Sequence, residues 1–226
     1  MSHEPIDSAA AFARLSQKID DDQSIVGWLK SRPTWVRKLI AGLTVVGATL
    51  FGVVFLRRPD LDAYPVLRMT VSIAAIAAVL FVSLGWSLRP MHKRALPPWA
   101  VAAMAVGAVA LSFGLAITPT HYAPDPVHLP HGAEWVHALR CLYFGALVGL
   151  PVYVVGRLLD RTRDPSRAVL AAGAAGLTGQ LVLLLHCPIS DPTHLVTGHA
   201  SIVAVFLALV WFVVRVERRI RRRVTA

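Results

Sequence analysis

Six long apolar runs divide the chain, at about 39–56, 66–88, 96–117, 138–157, 167–186 and 199–215. Each is close to the roughly 20 residues that an α-helix needs to cross a bilayer. The runs are continuous instead of alternating apolar with polar, which disfavours a β-barrel. The pattern predicts an all-α, polytopic membrane helix bundle of six transmembrane helices. A polar segment, 1–38, precedes the membrane domain at 39–215, and a short basic tail, 216–226, follows it.

Segment 1–38 is too polar and too mixed in charge to insert, and it does not have the form of a cleavable signal peptide. Asp7 and Ser8 are placed to cap a helix over 9–19. Phe12, Leu15 and Ile19 fall three and four apart on one face of that helix. An isolated helix of this length is marginal in water, so the segment reads either as a surface-lying tail or as a partner-binding helix that folds on its partner. Further on, Ile25, Val26, Trp28 and Leu29 form a second apolar patch, and Arg37-Lys38 mark the membrane surface.

The spans themselves carry packing signals. Gly42, Gly47 and Gly52 lie in the first. The fifth is rich in Ala and Gly from Ala171 to Gly179, the composition that lets membrane helices approach closely. Gln180 in the same span needs a hydrogen bond from another helix. Pro151 predicts a kink in the fourth, and Trp99 and Trp211 suit the interfacial belt.

Composition and charge sharpen this picture. The chain is 55% apolar and only 16% charged, which a water-soluble fold of 226 residues would not need. Its net charge of +10 raises the question of nucleic acid. The basic residues, however, flank the spans as membrane topology requires, so no direct nucleic-acid contact is expected. Six Lys and Arg precede the first span, three follow the second, four lie from Arg157 to Arg167 around the junction of the fourth and fifth, and six lie from Arg215 to the end. That is nineteen of 23, against Arg57 and Arg58 after the first span, with Arg68 and Arg140 just inside the second and fourth. The positive-inside rule then puts both termini in the cytoplasm. The loops at 57–65, 118–137 and 187–198 face outward.

The chemistry gathers on that outer face. Span four enters near Cys141, and span five leaves through His186-Cys187-Pro188, followed by His194 and His199. Cys and His bind soft and borderline cations such as Cu(I) and Zn(II). Cys141, Cys187, His186, His194 and His199 are thus candidate ligands or redox sensors, and Arg140 beside Cys141 would favour its thiolate. The spacing matches no standard zinc module. A plain disulfide in an oxidising compartment, or unpaired thiols in a helix interface, would also account for the two cysteines. His121, His128, His131 and His137 in the loop between spans three and four read as solvated polar residues.

Catalytic constellations are missing. There is no CxxC, no Gly-rich phosphate loop and no HExxH, so the chain does not read as an enzyme. No carboxylate pair lies in mid-span, which counts against a proton-coupled transporter. A small membrane transporter or metal exporter is the alternative reading.

Several short motifs occur in a telling order: Arg58-Pro59-Asp60-Leu61, Arg89-Pro90, Cys141-Leu142 with Leu150-Pro151, and an Ala/Gly-rich span ending His186-Cys187-Pro188. In these the chain, over about residues 37–215, resembles the NrsF-type family of six-span bacterial anti-sigma factors. The resemblance implies that the cytoplasmic N-terminal segment, with Phe12, Leu15 and Ile19 as its apolar face, sequesters an extracytoplasmic-function sigma factor. It also implies release on a metal, oxidative or similar envelope stress sensed at the two cysteines, which map onto Cys141 and Cys187. The chain departs from the family pattern in carrying His194 and His199 after the Cys-Pro turn.

Overall fold

A computed structural model describes residues 24–56, 58–118, 133–162 and 164–224. Phe12, Leu15 and Ile19, and His121, His128 and His131, lie outside the described residues. Within them the chain is helical and no strand occurs. A short helix α1 (Ile25–Ser31), capped by the Ser24 side chain, leads into α2 (Thr34–Leu56), α3 (Val66–Ser87), α4 (Pro98–Ile117), α5 (Ala133–Leu159) and α6 (Pro165–His186). A single helical turn (Pro192–His194) and a π-helical turn (Leu195–Ala200) then run without a break into α7 (Ser201–Val224). Six helices are long and apolar enough to span a membrane. The first begins at Thr34, earlier than the expected 39. The last begins at Pro192 instead of 199, because the Asp191 carboxylate accepts from the His194 N–H (2.8 Å) and Pro192 follows as the first helical residue.

One helix is central. α6 packs against each of the other five spans, and 83% of its apolar stretch is buried, against 22–33% for the others. Its small residues explain how. A methyl on Gly176 would lie 2.7 Å from Val203 Cα, and one on Gly179 would lie 2.9 Å from the Gly145 carbonyl carbon. Both contacts are with backbone, which cannot rotate aside. Lipid tails are as apolar as leucine, so close backbone approach and interhelical hydrogen bonds hold such a bundle together. Ser112 of α4 donates to Gln180 Oε1 (2.5 Å), the Gln180 amide donates to Ser112 O (3.4 Å), and Ser83 of α3 donates to Leu170 O (2.8 Å). Pro151 lies inside α5.

The two ends of the bundle differ. At one end, the entry of α6 is held by buried Asp160, which accepts from Arg157 Nη1 (2.9 Å) and Arg167 Nη1 (3.2 Å). Arg37, expected at the membrane surface, is instead only 2% exposed, and its guanidinium donates to Leu159 O (2.9 Å). Arg161 donates to the carbonyls of Lys30 and Arg32, which ties α1 to the connection after α5. The opposite end holds the cysteines.

A buried Cys2His2 cluster

Pro188 ends α6. It cannot continue the helix hydrogen bonding, and it forces Cys187 into an extended conformation (φ −88°, ψ 121°). The carbonyls left open at the end of α6 are met by Arg58, whose N–H donates to Leu185 O (3.1 Å) and whose guanidinium donates to Leu184 O (3.2 Å). Arg58 is itself held by Asp60 in a two-point ion pair (2.6 and 2.7 Å) and lies over the Tyr64 ring. The chain then turns back through Asp191-Pro192 into the last span.

The π-helical turn decides what the histidines do. In an α-helix, residues five apart point well away from one another. The i→i+5 bonding of a π turn stacks them instead, and such turns recur at functional sites. Here it sets the rings of His194 and His199 edge to face, 5.2 Å between centroids. Gly198 lets this turn seat on α5, since a methyl there would lie 3.0 Å from Ala138 O and 3.3 Å from Cys141 Cβ.

Four of the five candidate ligands therefore meet. One ligand atom from each of Cys141, Cys187, His194 and His199 lies within 4.8 Å of all the others, and all four residues are buried. Both thiols are free, with Cys141 Sγ 3.8 Å from Cys187 Sγ. His194 Nε2 is 3.4 Å from Cys187 Sγ. His186 does not join them; its ring packs against Phe144 at 5.3 Å. Arg140 is exposed on α5, whereas its neighbour Cys141 is buried. Cys187, in the connection between the last two spans, has its thiol held below the ordinary range. The hydrogen bond from Cys141 acts first, and His194 and His199 add to it against the opposing effect of burial.

The geometry suits a tetrahedral cation. Two sulfurs each about 2.3 Å from a common ion at the tetrahedral angle lie about 3.8 Å apart, and a sulfur and an imidazole nitrogen lie about 3.5 Å apart. The chain presents 3.8 and 3.4 Å. Each imidazole keeps one buried nitrogen without a partner, Nδ1 of His194 and Nε2 of His199; for His194 the nitrogen that faces Cys187 is the other one, Nε2. Charge separates the candidate ions. Two thiolates and two neutral imidazoles make a neutral complex with Zn(II) and an anionic one with Cu(I). Burial penalises the latter.

Of the residues involved, Gly198, Asp191 and Arg58 were not singled out as part of the site. The Asp-Pro pair, a cap followed by the first helical residue, was the legible sign that a helix starts before His194. No family model, no curated protein and no solved structure matches the chain. The fold and the cluster define a multi-pass helical membrane protein with a buried Cys2His2 site.

Proposed function

We propose that the chain is a membrane-bound regulator, an anti-sigma factor of the bacterial inner membrane. Its cytoplasmic N-terminal segment, 1–38, sequesters an extracytoplasmic-function sigma factor and releases it when a metal ion or oxidant engages Cys141 and Cys187. The motif resemblance to the NrsF-type family supports the partner, and the asymmetry of basic residues supports the orientation. One structural observation carries the coupling. α5 and the last-span connection beyond α6 hold the sulfurs at one end, and the far end of α5 holds the N-terminal arm through Arg161 and Leu159 O. A change in how α5 sits against α6 is therefore felt where the arm is tethered. Moving such a switch from mostly bound to mostly free takes about 5 kcal/mol of discrimination between states. Thiolate–metal ligation is worth roughly 10–16 kcal/mol in small zinc sites, so losing about half of it in one of the two states supplies that discrimination.

An exporter would need ligands continuing along the bundle. The cavity beside Cys187 and His199 is also lined by Ser72, Ile76 and Gln180, with no other thiol, imidazole or carboxylate among its described lining residues. That favours sensing over transport. The test is co-purification of the full chain with candidate sigma factors, followed by reporter induction by Zn(II), Cd(II) and diamide in Cys141→Ser/Cys187→Ser cells. Binding that vanishes when residues 1–38 are deleted, and induction that vanishes in the double variant, are the expected results. No binding to any sigma factor sinks the regulator; unchanged induction in the double variant sinks only the sensing step.

A further inference from the structure

At the end of the bundle away from the cysteines, one side of α6 is less covered. Pro165, Ser166 and Val169 are half-buried, whereas Arg167, Ala168 and every residue from Leu170 to Leu183 are buried. The half-buried side of this turn forms the floor of a crevice between α4 and α7. Pro98, Val101 and Ala102 form one wall, and Trp211, Val214, Arg215 and Arg219 form the other. Its volume is about 690 Å³, open to the surface, within the roughly 300–1,000 Å³ usual for small-molecule sites.

Two further features mark the crevice. It lies at interfacial depth, with Trp99 and Trp211 both exposed beside it. Among the described residues its charged lining is two arginines, both exposed, and Arg215 is stacked 4.9 Å over Trp211. An apolar floor beneath a two-arginine rim is complementary to an acyl chain beneath a phosphate. Basic pockets between spans recognise anionic headgroups on this physical basis.

We propose that this crevice binds one anionic phospholipid, its acyl chain against Val101, Val169 and Val214 and its phosphate at Arg215 and Arg219. The proposal rests on the membrane-spanning bundle and not on the regulatory reading. In the test, the full chain is reconstituted in vesicles of phosphatidylcholine and phosphatidylglycerol, extracted gently and weighed by native mass spectrometry. The wild type is expected to retain one phosphatidylglycerol in preference to phosphatidylcholine. Each arginine should contribute roughly fivefold to that preference. Arg215→Gln/Arg219→Gln should bring it near parity. Ala102→Trp, which fills the crevice and leaves both arginines in place, should cut retention as well. Quenching of Trp211 by phosphatidylglycerol brominated on its acyl chains, lost in Trp211→Phe, gives an independent reading. Equal retention of the two lipids by the wild type overturns the proposal. So does a preference that survives both variants. If the arginine variant instead loses an acidic protein partner with its lipid preference intact, the crevice is a protein site and the proposal fails.

Discussion

Placing one methyl group on the central helix tests both the packing and the site. Gly179→Ala on α6 sets a carbon 2.9 Å from the Gly145 carbonyl carbon and 3.3 Å from Gly145 Cα, and closer still to the carbonyl oxygen. To bring that carbon to van der Waals separation, α5 must retreat by about 1 Å. The stability effect is a difference of two terms. Overpacking costs about 1–3 kcal/mol, and alanine in place of glycine returns up to about 1 kcal/mol of helix propensity. The melting temperature should therefore fall only modestly. The sharper readout is at the sulfurs. Gly145 lies one turn from Cys141 on α5, and Gly179 lies two turns before Cys187, so the retreat widens the 3.8 Å between them. Metal sites tolerate about 0.2 Å of misplacement. Zinc affinity should drop on the order of ten- to a hundredfold, the range seen when the support of a ligand is disturbed. The assay is chelator competition on the full chain in micelles, with the Co(II) thiolate charge-transfer band as a second signal. Gly156→Ala, at the other end of the same interface, is the control. Its methyl would meet Ala171 Cβ at an ordinary 3.5 Å, so it should leave zinc binding unchanged. A Gly179→Ala protein that binds zinc as tightly as wild type refutes the argument that close α5–α6 contact positions the thiols.

Two further outcomes follow from the same geometry. With the sulfurs 3.8 Å apart and reduced, diamide should take two electrons and two protons from the pair and close an intramolecular disulfide. Zinc loaded beforehand should block both that reaction and maleimide alkylation, read by mass; equal alkylation with and without zinc would count against ligation by the thiols. At the opposite end, Asp160→Leu removes the shared partner of Arg157 and Arg167. Breaking a buried pair this way costs about 3–5 kcal/mol, and the low end is expected because the Arg157 side chain is 28% exposed. Unfolding of the full chain in mixed micelles measures it, and a loss below 1 kcal/mol would mean that the network is solvated.

The six spans could be read from the sequence because run length and continuity are set by the bilayer and need no tertiary information. The Ala/Gly content of the fifth span announced close packing, and Gln180 announced a partner, found in Ser112. What could not be read depended on geometry the chain makes only once folded. His194 and His199 point apart in any regular α-helix, so only the π turn makes them neighbours. His186, adjacent to Cys187 in sequence, is turned onto Phe144, because the helix ends between the two residues. Arg37 looked like a surface charge beside Lys38. Burial was possible because Leu159 O and Thr34 Oγ1 meet its guanidinium (2.9 and 3.1 Å), a pairing across 122 positions.

The same logic explains why the site sits where it does. The Ala/Gly stretch of α6, from Ala171 to Gly179, carries no thiol or imidazole, and the leucines and Val182 that follow it add none. The metal-binding group that this helix presents to the cluster is Cys187, just beyond its last turn. Any partner for that thiol must come from elements packed against this end, and here these are α5 and the connection into α7. Both contribute: Cys141 from α5, His194 and His199 from the π turn. A ligand set drawn from both sides of the central helix cannot close around an ion without fixing α5, α6 and α7 relative to one another. An ion held there would thus tie together three elements, and the other end of two of them, α5 and α6, carries Asp160 at the entry of α6 and Arg161 bonded to the N-terminal arm.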